Sequence, residues 1–208
     1  MSGPVVIFGG TFDPVQSGHM AVADQAHRQL DAVALRFVVA NIPTLRQPAL
    51  APAAARVEML YAAVAGDPRF VVDEREIRRG GTTYTADTMV EFHREYPRAE
   101  FRLLLGADVA RSMPAWHRAD ELLAREHFVI VNRAGETPLR LDEAIRLGFD
   151  RQRTELLEVE SPPVSASQVR RRAAAGESLA GLVPDSVAAI IARDGLYGSG
   201  RAVHNSRG

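Results

Sequence analysis

The sequence contains no lysine and no cysteine in 208 residues. The first absence excludes a Schiff-base or amine nucleophile and the lysine-bearing phosphate loop GxxxxGK(S/T). The second excludes disulfides, a thiol nucleophile and cysteine-ligated zinc or iron–sulfur centres. Every basic side chain except histidine is arginine, and 25 of them face 26 Asp and Glu for a formal net charge of −1. That balance argues against a nucleic-acid partner, which needs a basic face. No apolar run approaches the ~20 residues of a membrane span. The opening MSGPVVIFGGTF lacks the basic start and long apolar core of a signal peptide, so the expectation is a cytoplasmic protein with no membrane partner. Any phosphate clamp must be built from arginine, histidine and backbone amides.

What is present is a soluble globular composition, 46% hydrophobic and 25% charged, with short apolar runs that alternate with helix-forming stretches. Strands are expected at 4–8 (PVVIF), 35–40 (LRFVVA), 70–73, 101–105, 127–132 and 156–159. Helices are expected at 18–30, 53–65, 85–96 and 108–125, the last broken near Pro114, with shorter ones at 167–175 and 183–191. Alternation of this kind predicts an α/β fold with a parallel sheet flanked by helices and a small helical C-terminal part. In open parallel sheets ligands bind beyond the carboxyl ends of the strands. One domain is expected over 1–197, followed by a flexible tail at 198–208 (GSGRAVHNSRG). Val187, Ile190, Ile191 and Leu196 suit either a core helix or an interface helix, so a homo-oligomer is left open.

The sharpest segment is GGTFDPVQSGH at 9–19. A buried strand runs into Gly9-Gly10, the chain turns at Asp13-Pro14, and a helix opens at Gly18-His19. Glycines let a phosphate approach the backbone, and a helix start supplies unpaired N–H groups and a positive dipole end. His19 adds a side-chain donor, so this is an anion site that needs no lysine. The bland alternative is an ordinary strand–helix turn in which His19 only caps or packs. A second segment, VSASQVRRR at 164–172, puts Ser165 and Ser167 ahead of a helix with three arginines. Arg171 and Arg172 read as a solvated helix face, and spacing alone leaves the direction of Arg170 open. No GxGxxG follows the first strand, which argues against a dinucleotide-dependent dehydrogenase.

These segments resemble the bacterial nicotinate-nucleotide adenylyltransferase family of the nucleotidylyltransferase superfamily. GGTFDPVQSGH is similar to that family's GGTFDPxHxGH, and VSASQVR is loosely similar to its ISSTxIR. RVEML at 56–60, EIRRGGTTYTADT at 76–88, GAD at 106–108 followed by Trp116, and LVP at 182–184 through LY at 196–197 resemble further family segments in the family's order, from about residue 5 to 197. The resemblance implies the Rossmann-like nucleotidylyltransferase fold and transfer of AMP from ATP to nicotinate mononucleotide, with Mg²⁺ accompanying ATP. It implies that His19, Arg46 and Arg170 act on the phosphates. Gly9, Gly10, Thr11, Phe12, Gln16, Gly18, Gly106, Asp108, Arg133, Ser165 and Ser167 would hold ATP. Asn41, Arg46, Tyr84, Thr85 and Trp116 would hold the mononucleotide, with Trp116 stacked on the pyridine ring. Read without the resemblance, a lone Trp is more often core, and Thr85 suits an N-cap for the helix at 86–96.

Some positions depart from the family pattern. Gln16 stands where the family has a first His or Thr, Leu45 where it has a second His, Ala166 where it has Ser and Ala134 where it has Pro. An amide at 16 can donate to phosphate but carries no charge. Two alternatives therefore stand beside the leading expectation: a superfamily member with another phosphate-bearing acceptor, and a weakly active nucleotide-binding paralogue. The segment at 83–88 and Trp116 favour a pyridine acceptor over the pantetheine-phosphate branch. Sequence does not separate acid from amide on the ring.

Overall fold

The computed structural model describes residues 3–43 and 48–199. Thr44, Leu45 and Arg46 therefore lie outside the described residues, as do 200–208 of the expected tail. Six strands form one parallel sheet: β1 (Val5–Gly10), β2 (Ala34–Val39), β4 (Phe70–Asp73), β6 (Phe101–Gly106), β7 (Phe128–Arg133) and β8 (Thr154–Val159). Their spatial order is β4-β2-β1-β6-β7-β8, and each neighbouring pair is parallel. This is the doubly wound order whose direction reverses between β1 and β6, where a crevice opens beyond the strand ends.

The sheet is buried on both faces because adjacent strand residues point to opposite sides. Val6, Phe37, Leu104 and Val129 join one core layer with Met59, Leu60, Val187, Ile190 and Ile191. Their neighbours Ile7, Val38, Leu103, Leu105 and Ile130 join the other with Met89, Phe92 and Phe149. The first layer is closed by helices α1 (Ser17–Gln29), α2 (Ala53–Val64), α8 (Ala166–Ala174) and α9 (Asp185–Arg193). The second is closed by α4 (Thr85–Glu95), α5 (Ala107–Arg111), α6 (Ala119–Arg125) and α7 (Leu141–Arg146). The apolar residues of α9 thus face this chain's own core. Each fully buried Leu, Ile or Phe contributes about 1.5–3 kcal/mol by leaving water.

The six expected strands and the longer helices are present within one to three residues. The expected 108–125 helix is more broken than its composition suggests. It consists of α5, a 3-10 turn at Met113–Ala115 and α6, because Pro114 sits in that turn and Arg118 takes a left-handed φ of 56°. Short elements escaped sequence periodicity: α3 (Arg75–Arg79), α7, a 3-10 turn at Arg151–Arg153, and the two-residue parallel strands β3 (Ile42–Pro43) and β5 (Thr82–Thr83), which pair with each other. At the C-terminal side Leu196–Gly198 form a 3-10 turn, and Ser199 Oγ donates to Ile191 O at 2.9 Å. No helix among the described residues is long and apolar enough to cross a membrane.

Candidate functional site

A cavity of about 660 Å³ opens where the sheet order reverses. The β1–α1 turn forms one wall. Phe12 adopts φ 48°, a left-handed conformation that costs a non-glycine residue about 1–2 kcal/mol. Its ring is held edge-on by Phe8, Phe37 and His19 at centroid separations of 5.7, 5.6 and 5.2 Å. Gly10 is required by that packing, since a Cβ there would lie 2.8 Å from the Phe12 ring.

The helix that follows is capped from an unexpected residue. Gln16 is the N-cap of α1. Its Oε1 accepts from Gly18 N at 2.5 Å, and its Nε2 donates to Val164 O at 3.0 Å. The residue is 3% exposed. Although it lines the cavity, its amide is engaged in starting α1 and docking the chain ahead of α8. In return Gln16 N–H donates to His19 Nδ1 at 3.2 Å. An Nδ1 that accepts leaves the neutral imidazole proton on Nε2, so His19 is set as a donor in the cavity wall.

Arg170, whose direction the sequence left open, turns toward this wall. Its Nη1 donates to Asp13 O at 2.7 Å and lies 4.0 Å from Asp13 Oδ2. Asp13 is buried and accepts from Leu50 N at 2.7 Å, Ala51 N at 3.0 Å and the Tyr197 hydroxyl at 2.8 Å. Burial and the Asp13 carboxylate push the Tyr197 phenol well above its ordinary pKa, so it stays a donor. Beside it, Arg56 is 2% exposed. It donates to the carbonyls of Thr11, Ala40, Ala51 and Asn41 at 2.8, 2.7, 3.3 and 3.4 Å. A charge buried this deeply is tolerated because carbonyl dipoles replace its water. Arg56 thereby pins the loops after β1 and β2 to the start of α2. Neither Arg56 nor Tyr197 was expected at the site, although both sit in segments that carry the family resemblance.

Ser165 is the N-cap of α8, with Oγ accepting from Gln168 N at 3.2 Å, and its Oγ lies 3.0 Å from that of Ser167. Both serines are exposed on the cavity wall. Arg171 is exposed, and Arg172 pairs with Glu177 at 3.0 Å; neither is among the described lining residues, in keeping with a solvated face. At the end of β6, Gly106 and Asp108 line the cavity; a Cβ at 106 would meet Asp108 Oδ1 at 2.8 Å. Arg133, at the end of β7, also lines it and holds Glu136 at 2.7 Å.

The opposite wall holds Tyr84, Thr85, Thr88, Trp116 and His117. Trp116 lies between core and cavity. It packs on the second core layer, its Nε1 donates to Ser112 Oγ at 3.0 Å, and the ring still reaches the cavity. Tyr84 and His117 stack with centroids 4.2 Å apart, a pair the sequence reading did not select. The N-cap expectation for Thr85 is corrected: α4 begins at Thr85, and its cap position is Tyr84, without a side-chain cap. Asn41, also expected on this wall, is not among the described lining residues. Its Nδ2 donates to Gly81 O at 2.9 Å and its N–H to Thr83 Oγ1 at 3.0 Å, so it braces the wall from behind. Glu76, from α3, lies in the floor of this half at 5% exposure. Burial pushes its carboxyl up to about 7, against the pull of the Thr88 hydroxyl, Arg79 and the Thr83 hydroxyl.

Among the described residues no three His, Asp or Glu side chains converge to cage a metal ion. The three groups on Asp13's carboxylate already occupy both its oxygens.

Comparison with known proteins agrees with this geometry. Residues 7–172 match the model of the cytidylyltransferase-like family. A protein of Marinobacter nauticus named "Probable nicotinate-nucleotide adenylyltransferase" is 36% identical over 93% of this chain and 96% of its own. One of the same name from Geobacillus kaustophilus is 36% identical over 95% of this chain and 87% of its own. The solved structure of Plasmodium falciparum nicotinic acid mononucleotide adenylyltransferase complexed with NaAD superposes with a TM-score of 0.78 at 16% identity, over 96% of this chain and 99% of that one, which shows a shared fold. By its sequence, this chain belongs to the nicotinate-nucleotide adenylyltransferase family within the cytidylyltransferase-like nucleotidyltransferases.

Proposed function

We propose that the cavity binds MgATP against the β1–α1 turn and nicotinate mononucleotide against the Tyr84–Trp116 wall, and joins them into deamido-NAD with release of pyrophosphate. An oxygen of the mononucleotide's phosphate bonds to the α-phosphorus of ATP, and the bond from that phosphorus to the β-bridging oxygen breaks. No enzyme nucleophile takes part, which suits a chain without lysine and cysteine. Catalysis is alignment plus charge stabilisation.

The observation that carries this reading is the orientation of His19. Gln16 N–H fixes its Nδ1 as acceptor, so Nε2–H serves the α-phosphate as charge builds there. Arg170 has one Nη1 bond to Asp13 O and keeps further donors for the outer phosphates. Gly9, Gly10, Thr11, Phe12 and Gly18 bring the backbone close, Ser165 and Ser167 add hydroxyls, and Gly106, Asp108 and Arg133 take the ribose and adenine end. Gln16 acts by holding His19 and α1 in place. Tyr84, Thr85 and Trp116 take the pyridine ring, whose positive charge gains about 0.5–2 kcal/mol on an indole face. Asn41 supports that wall, and Arg46 is assigned to the acceptor phosphate on the family resemblance alone. Mg²⁺ brought in with ATP would supply neutralisation of its phosphate charge. A cytoplasmic site of action, the absence of a nucleic-acid or membrane partner, and the open possibility of a homo-oligomer belong to the same proposal.

The test is release of pyrophosphate from MgATP with nicotinate mononucleotide and, separately, with nicotinamide mononucleotide. Turnover with the first, exceeding that with the second, is expected. No release above blank with either would overturn the reading.

A further inference from the structure

The buried carboxyl of Glu76 has no part in the reaction described above, yet it sits in the wall of the same cavity. Its neighbours are hydroxyls. Thr88 Oγ donates to Glu76 Oε1 at 2.5 Å, and the nearby Thr83 hydroxyl favours its charged form. Thr83 Oγ1 in turn accepts from Asn41 N–H at 3.0 Å. The two hydroxyls thus reach Glu76 from β5 and α4, and through Asn41 the turn after β2 is added. Those three segments carry or adjoin Tyr84 and Thr85.

No cation touches Glu76 among the described residues. Arg79, on its own helix, bonds Thr88 Oγ1 at 3.0 Å and Glu91 at 2.8 Å instead. Asp73 approaches from β4 but is held by Arg75 and Arg36 at 2.9 and 3.3 Å. In the same half of the cavity stand Tyr84 and His117. A buried, unpaired carboxylate disfavours a second negative charge entering the same space, whereas a carboxylic acid does not. Glutamine would fill this position without that conflict, so the charge itself has a consequence for an anionic acceptor.

We infer that Glu76 is a positioning residue for the acceptor half of the cavity, tying Asn41, Thr83 and the first turn of α4 into one unit whose grip on an anionic acceptor depends on protonation of Glu76. The inference rests on the adenylyl-transfer reading. It adds a residue that touches neither substrate and a pH dependence confined to one of the two substrates.

The experiment is steady-state kinetics with MgATP and nicotinate mononucleotide between pH 6 and 8 for the wild type, Glu76→Gln and Glu76→Asp, each first shown folded by thermal unfolding. With a carboxyl that titrates near 7, the wild-type KM for the acceptor rises about tenfold from pH 6 to pH 8, as its protonated fraction falls. The KM for ATP stays flat. Glu76→Gln flattens the acceptor profile, and Glu76→Asp, which keeps the charge on a shorter arm, restores a pH dependence with its midpoint moved. Should Glu76→Gln not fold, the aspartate variant decides, and an unmoved midpoint counts against the inference. A glutamine variant with the wild-type profile, or with both KM values raised alike, overturns it. A wild type that turns over neither mononucleotide overturns the adenylyl-transfer reading instead, and the inference with it.

Discussion

The two walls of the cavity are built on different principles. The β1–α1 wall is pinned by groups that do not titrate near neutrality: Arg56 on four carbonyls, Gln16 across the helix start, and backbone amides on Asp13. These pins hold the turn in one geometry, as would suit a surface that aligns a triphosphate for attack. The acceptor wall is made of aromatic faces and a hydroxyl network around one buried carboxyl. On the proposed reading it would meet the acceptor's ring, where a few kcal/mol of differential binding select one substrate from another. In the proposed reaction, chemistry would belong to the β1–α1 wall and selectivity to the wall around Glu76.

Three changes put that division under strain. The largest effect is expected from His19→Ala. Removing one donor to the developing charge should lower kcat about 10²–10³-fold and leave both KM values within a few fold, as steady-state kinetics would show. A loss confined to KM would move His19 from the chemistry to simple binding. Next is the pH dependence of folding. Glu76 holds its proton more tightly folded, with a carboxyl near 7, than unfolded, where its ordinary value is 4.5. Its stability contribution is therefore fully kept below 4.5 and lost as pH rises through 7. Relative to Glu76→Gln, the wild type should lose about 3 kcal/mol between pH 4.5 and 8 in urea unfolding. Equal loss in both proteins would show that Glu76 is solvated when folded. The smallest is Trp116→Ala. Losing the indole face under a cationic ring should raise the acceptor KM roughly 2- to 30-fold with the ATP KM unchanged, and an equal change in both would place Trp116 in the core alone.

The sheet and the strand–turn–helix course of the β1–α1 segment were largely legible in the sequence, because their signals are local, whereas the side chains that pin that wall were not. Val5–Gly10 reads as a buried strand running into glycines, and the spacing from Gly10 to His19 places a histidine in the first turn of a helix. The acceptor wall was legible only in part. Tyr84, Thr85 and Trp116 came from the family resemblance, whereas Glu76 and His117 depend on elements that leave no periodic trace. The β3–β5 pair has two residues in each strand, too few for alternation to register, and α3 has five. Gln16 illustrates a different limit. As a departure from the family pattern it suggested a weakened phosphate contact, yet the structure shows its amide closing the capping box that orients His19. A long-range bond such as Gln16 to Val164, 148 residues apart, leaves no mark in spacing. The same holds for Tyr197 on Asp13.

The most direct measurement is a crystal structure of the protein with Mg²⁺ and a non-hydrolysable ATP analogue. It should place a non-bridging α-phosphate oxygen within hydrogen-bond distance of His19 Nε2, with Arg170 on the outer phosphates. A triphosphate seated away from the β1–α1 turn, or His19 with Nε2 turned from it, would contradict the assignment of chemistry to that wall.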